Sequence, residues 1–147
     1  MVREKELPKD INKKIPHVVK RLKQLEYINA LFFFGSFVRQ DLKPLSDIDI
    51  AVLFIDEIEK KDYPNLQLEL AGIIEDTIKT EEFDLVILNC APVSFAYNIL
   101  KDGMLVFAKN SAQLIDFRER TIKYHLDFQF YRKEFDKAFL EKVGYHG

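Results

Sequence analysis

What this sequence lacks narrows what it can be. Tryptophan is absent and cysteine occurs once, at Cys90. A single cysteine excludes an internal disulfide and any metal cluster built from cysteines. With no histidine or lysine near it in sequence, Cys90 reads as a small apolar residue rather than a nucleophile. No apolar run approaches the roughly 20 residues of a membrane-crossing helix. The opening stretch, MVREKELPKD, has charges with no apolar core behind them, so no signal peptide is expected. Together these absences lead to the expectation of a cytoplasmic protein with no membrane partner. The three histidines, His17, His125 and His146, have no metal-binding spacing and read as surface or helix residues. No internal repeat and no low-complexity segment is present.

What is present suits one soluble domain. Of 147 residues, 48% are apolar and 31% charged, which is globular composition with enough chain to bury a single core. Charge is unevenly spread. Residues 1–26 carry eight Lys/Arg against four Asp/Glu, residues 27–108 six against fourteen, and residues 109–147 eight against six. An acidic middle is a poor surface for nucleic-acid phosphates, so direct nucleic-acid binding is not expected. It is a plausible surface for a divalent cation, although most of these charges are solvated helix faces. Lys43, Lys60 and Lys61 are read as loop residues in solvent.

Periodicity outlines an α/β (α+β) fold: a small mixed β-sheet flanked by helices, with a long C-terminal helix. Ile11, Ile15, Val18, Leu22 and Leu25 make a helical stripe, with Pro16 marking a start or a bend. Residues 30–34 form an apolar strand ended by Gly35-Ser36, and residues 47–54 form a second. Asp62 and Pro64 open a helix with Leu66, Leu70, Ile73, Ile74 and Ile78 on one face. Residues 83–88 are a third strand, a short helix follows Pro92, and residues 103–107 are a fourth, edge strand. From Ser111 to about Val143 there is neither Gly nor Pro, and Leu114, Phe117, Thr121, Tyr124, Phe128, Tyr131, Phe135 and Ala138 alternate steps of three and four. Such a helix would run roughly 50 Å, beyond the roughly 30 Å width of so small a domain. Its first half, Leu114 to Tyr124, is expected to cover the sheet. Its second half, with Phe128, Tyr131 and Phe135, is expected to meet a protein partner or a second copy of the chain. The division expected is 1–108 and 109–147.

Three features carry chemistry. Phe34-Gly35-Ser36 closes a strand, where a glycine lets a phosphate approach the backbone and Ser36 can offer its hydroxyl or cap a helix; such a turn is more often met without any function. Asp47-Ile48-Asp49 puts two carboxylates on one strand face, with Ile48 and Ile50 on the other. Like charges so close are costly without a counter-ion, and Mg²⁺ prefers carboxylate and phosphate oxygens. Asp84 interrupts the apolar letters Phe83, Leu85, Val86 and Ile87, a costly place for an unpaired acid. It could complete a metal site, take a proton from an attacking hydroxyl, or be a hydrogen-bonded structural residue.

The combination is more specific than its parts. Gly35-Ser36, ten residues, Asp47-x-Asp49 and a third Asp on a later strand resemble the signature of the nucleotidyltransferase superfamily. The stretches FGSFVRQDLKPLSDIDIAVLF and FDLVILNCAPVSFAYNILKDGMLVFAKN resemble the minimal nucleotidyltransferases, small antitoxin partners of HEPN-domain toxins. The resemblance covers roughly residues 10–108 and implies a polymerase beta-like fold, with residues 1–108 as the minimal nucleotidyltransferase domain and 109–147 as a helical extension. It further implies that Gly35, Ser36 and Arg39 contact the nucleotide and that Asp47, Asp49 and Asp84 are the catalytic carboxylates. Those three would hold Mg²⁺, with two ions possible, and Asp84 is the candidate general base. Gln40 and Val38 depart from the usual Gly and Ala of the loop, leaving the carboxylates in place.

The activity implied is transfer of a nucleoside monophosphate, AMP from ATP, to a hydroxyl. The acceptor would be a tyrosine of a partner HEPN toxin. Alternatives are a small-molecule acceptor such as an aminoglycoside, for which 147 residues leave little room for a substrate domain, and an antitoxin that acts by binding alone.

Overall fold

The structure, a computed structural model, describes residues 11–35 and 48–144. Among these residues four α-helices and a four-stranded sheet follow in the order α1 (Ile11–Lys23), β1 (Ile28–Phe34), β2 (Ile48–Phe54), α2 (Tyr63–Ile78), β3 (Phe83–Ile87), α3 (Val93–Asp102), β4 (Met104–Ala108) and α4 (Ser111–Lys142). Across the sheet the order is β3-β2-β1-β4. β1 is antiparallel to both β2 and β4, and β2 is parallel to β3, with α2 as the crossover. The sheet is therefore mixed, and β4 is an edge strand, as the sequence leads one to expect.

Burial explains why the strands read as apolar runs. β1 and β2 are central and covered on both faces, so every residue in them except Phe34 and Asp49 is buried. One face packs Leu31, Phe33, Ile48, Ile50 and Val52 against Val18 and Leu22 of α1 and Leu70 and Ile74 of α2. The other face packs Ala30, Phe32, Ala51 and Leu53 against Ala96 and Ile99 of α3 and against Leu114 and Phe117 of α4. The register of β1 shifts between Ile28 and Ala30, so Ile28 joins the first face and Ala30 the second.

Asn29, at that shift, is fully buried. Its side chain accepts from the Asn110 backbone N–H at 2.7 Å and donates to the Asn110 carbonyl at 3.1 Å and to Gln113 Oε1 at 3.0 Å. Gln113 in turn donates to the Phe54 carbonyl at 3.0 Å and to Asp56 at 3.1 Å. This network pins the start of α4 to the ends of β1 and β2. Asn110 caps α4 by accepting from the Gln113 N–H.

Pro16 neither starts nor ends α1, which runs through it; Pro16 is exposed, so the hydrogen bond it removes lies on the solvent side. In α4, Leu114, Phe117 and Thr121 pack inward, but Tyr124 is 54% exposed and His125 is buried instead. His125 stacks on Tyr97 of α3, with centroids 3.9 Å apart; of the two readings, surface or helix residue, the helix one holds and the surface one does not. Every described residue from Leu126 to Gly144 is exposed, Phe128, Tyr131 and Phe135 included. Cys90 is exposed rather than packed as an apolar residue. His17, Lys60 and Lys61 lie in solvent. No helix among the described residues is long and apolar enough to cross a membrane.

Candidate active site

The site grows from one end of the central strands. Phe34 pairs with Asp49 across the antiparallel β1–β2 ladder, and Asp49 pairs with Asp84 across the parallel β2–β3 ladder. Residues in register point to the same face. Phe34, Asp49 and Asp84 thus form a row across three strands, on the face that carries α3. Ile48 and Ile50 are buried on the opposite face, as the alternation of β2 requires.

Gly35 ends β1 with φ +72, in the left-handed region that favours glycine. A Cβ built there would run into the Asp49 carboxylate. Glycine is required twice over, by backbone conformation and by the close approach of Asp49.

Asp49 is half-buried and Asp84 is exposed. The apolar letters around Asp84 do not bury it: β3 is an edge strand, and of its five residues only Ile87 is buried. The cost argued from its neighbours in sequence does not arise; its exposure leaves the carboxylate open to a substrate or an ion. Ser36, Arg39 and Asp47 lie outside the described residues, as do Val38, Gln40, Lys43 and His146. Of the six residues singled out from sequence, the structure brings together Gly35, Asp49 and Asp84.

Neighbouring strands lie about 4.8 Å apart, so the Asp49 and Asp84 carboxylates can share one cation. Both are hard oxygen donors, the kind Mg²⁺ takes, and Mg²⁺ is commonly held by one or two carboxylates with substrate phosphates completing its shell. Among the described residues no cluster of three or more acidic, His or Cys side chains could hold a metal alone. The described pair therefore fits a metal held jointly with a phosphate or a further carboxylate.

Beside Gly35 opens a cleft of about 480 Å³, lined by Phe34, Phe95, Asn98, Ile99, Asp102 and Gly103. Phe95 meets Phe34 edge-to-face at 5.9 Å. Sequence reasoning passes over these α3 residues; the available signal is the spacing of Phe95, Asn98 and Asp102, which places them on one helix face.

Residues 14–112 match the family described as Polymerase beta, Nucleotidyltransferase, and the chain belongs to that family. It is similar to the protein adenylyltransferase MntA of Aphanizomenon flos-aquae (strain 2012/KM1/D3), at 24% identity over 127 residues, covering 83% of this chain and 82% of the relative. Among solved structures, it resembles a chain of a toxin-antitoxin crystallised with AMP-PNP, with TM-score 0.65 and 22% identity, covering 87% of this chain and 97% of that one. It also resembles a chain in the complex of tri-AMPylated Shewanella oneidensis HEPN toxin with MNT antitoxin, with TM-score 0.63 and 21% identity, covering 88% and 98%. These structural likenesses show a shared fold.

Proposed function

We propose that this chain is a Mg²⁺-dependent adenylyltransferase that transfers AMP from ATP to a tyrosine hydroxyl of a HEPN-type toxin and so acts as its antitoxin. The observation that carries the reading is the register of Asp49 with Asp84 beside the Gly35 turn. The family supports nucleotidyl transfer, and the names of the relatives support a protein acceptor.

In this reading Gly35 and Ser36 receive the triphosphate, Arg39 contacts a phosphate, and Asp47, Asp49 and Asp84 hold the metal. Bound Mg²⁺ supplies positive charge to the phosphate oxygens and lowers the barrier to attack on the α-phosphorus. The acceptor oxygen bonds to that phosphorus, the bond to the bridging oxygen breaks, and pyrophosphate leaves. The acceptor proton passes to the Asp84 carboxylate, whose exposure lets it return the proton to water. Residues 1–108 form the catalytic domain and residues 109–147 an extension; the far half of α4 meets the partner protein. The reaction is placed in the cytoplasm, where ATP is available.

The test is incubation with each labelled NTP, Mg²⁺ and the product of the neighbouring gene. Label from ATP should appear on a tyrosine of that product and vanish with a chelator. Label on neither protein, with Mg²⁺ and every NTP, would overturn the reading.

A further inference from the structure

The end of β1 has a close neighbour on each flank. On the β2 side the Asp49 carboxylate fills the space beside Gly35. On the β4 side stands Gly103, the single residue between α3 and β4. Its backbone is extended, with φ −74 and ψ 163, so conformation does not call for glycine there. Space does. A Cβ at position 103 would meet the Ile99 carbonyl oxygen at 2.5 Å and the Phe33 carbonyl oxygen at 3.3 Å. Both are backbone atoms, so no side chain can turn aside to make room.

We propose that Gly103 is a positioning residue for transfer: it lets the end of α3 close on the peptide between Phe33 and Phe34, and so holds the Gly35 turn against Asp49. This rests on the nucleotidyl-transfer reading above, in which the turn receives the triphosphate.

Residue 103 is tied to both of its neighbours. Its N–H donates to the Ile99 carbonyl at 2.7 Å, which fixes it to the last turn of α3. Met104, the next residue, pairs with Phe33, so the junction and the end of β1 move together. Gly35 and Gly103 line the same cleft. α3 itself is anchored on the sheet by Ala96 and Ile99, both buried. A methyl group at position 103 therefore has two ways to fit. Either α3 backs away, which opens the packing of Ala96 and Ile99 and removes the turn's support on one flank. Or the peptide after Phe33 moves toward β2, where Asp49 leaves the turn no space. Both disturb the turn, and a misplacement of about 1 Å can cost about a hundredfold in rate. Gly72 in α2 supplies the contrast, since nothing lies within 4 Å of a Cβ built there.

The experiment compares the full chain with its Gly103→Ala and Gly72→Ala variants, well below the melting temperature of each. Two quantities are read: the transfer rate at saturating ATP, with the neighbouring gene's product as acceptor, and the calorimetric affinity for inorganic tripolyphosphate with Mg²⁺. Gly103→Ala should lower the saturated rate about tenfold or more and weaken tripolyphosphate severalfold, with circular dichroism matching the wild type. Gly72→Ala should leave both quantities unchanged. A lower melting temperature with normal rate and affinity in Gly103→Ala would make Gly103 a packing residue alone and overturn the proposal, leaving nucleotidyl transfer standing. If Gly103→Ala does not fold, the wild type decides. Tripolyphosphate with Mg²⁺ should then move the backbone amide resonances of Gly35 and Gly103 and leave that of Gly72 in place. An unmoved Gly103 amide would overturn the proposal. If the wild type neither transfers nor binds tripolyphosphate, nucleotidyl transfer falls and the positioning role with it.

Discussion

Gly35 and Asp49 interlock: the Asp49 carboxylate occupies the space that any side chain at position 35 would need. Gly35→Ala should therefore displace the carboxylate and strain a backbone at φ +72. The expected result is a loss of transfer of about a hundredfold or more, with a stability cost of about 1–3 kcal/mol. A transfer assay and thermal melting measure the two effects separately.

Asp49→Asn, and likewise Asp47→Asn, should abolish transfer without unfolding the chain. Each removes one metal-directed charge and leaves an amide of nearly the same shape. Circular dichroism should match the wild type; full transfer in both variants would sink the metal assignment.

Asp84→Asn should lower the transfer rate more than nucleotide affinity. Asp84 stands one strand further from Gly35 than Asp49 does, on the flank proposed for the acceptor. Rates at saturating ATP, beside titration with a non-hydrolysable analogue, distinguish the two. Lost binding with a normal saturated rate would assign Asp84 the wrong role.

Truncation after His125 should leave melting and Mg²⁺-nucleotide binding unchanged, because every described residue beyond it is exposed. It should weaken association with the neighbouring gene's product, measured by analytical ultracentrifugation, since Phe128, Tyr131 and Phe135 suit an interface centre. A molten truncation would show that the distal aromatics serve the fold; unchanged assembly would count equally against docking. A shift from dimer to monomer in the chain alone would assign the face to a second copy.

Asn29→Ala should destabilise the fold by about 2–3 kcal/mol, because it leaves the Asn110 N–H and the Gln113 side chain without their buried partner. Denaturant melts measure the loss.

The strands, the crossover helix and the start of α4 are legible in the sequence because each has a strong period or a clear boundary. The carboxylate pairing is only half legible. Asp47 and Asp49 sit two apart in sequence, whereas Asp84 joins Asp49 through a register that no local pattern records. The exposure of Asp84 escapes a reading by neighbours, because apolar letters beside a residue do not tell whether its strand lies at an edge. Asn29 escapes it for a similar reason: inside an apolar run its partners, Asn110 and Gln113, lie 81 and 84 residues away. The exchange of Tyr124 for His125 inward reflects the stack on Tyr97, a contact between helices that a single helical period cannot anticipate.

The parallel pairing of β2 with β3 also orders events during synthesis. Gly35 and Asp49 can meet as soon as the first two strands leave the ribosome. Asp84 joins them only after α2 has been made and has carried the chain back across the sheet. A nascent chain shorter than that holds the glycine turn beside Asp49 and lacks the register with Asp84. The second face of the sheet closes later still, when α3, β4 and the start of α4 have followed the crossover.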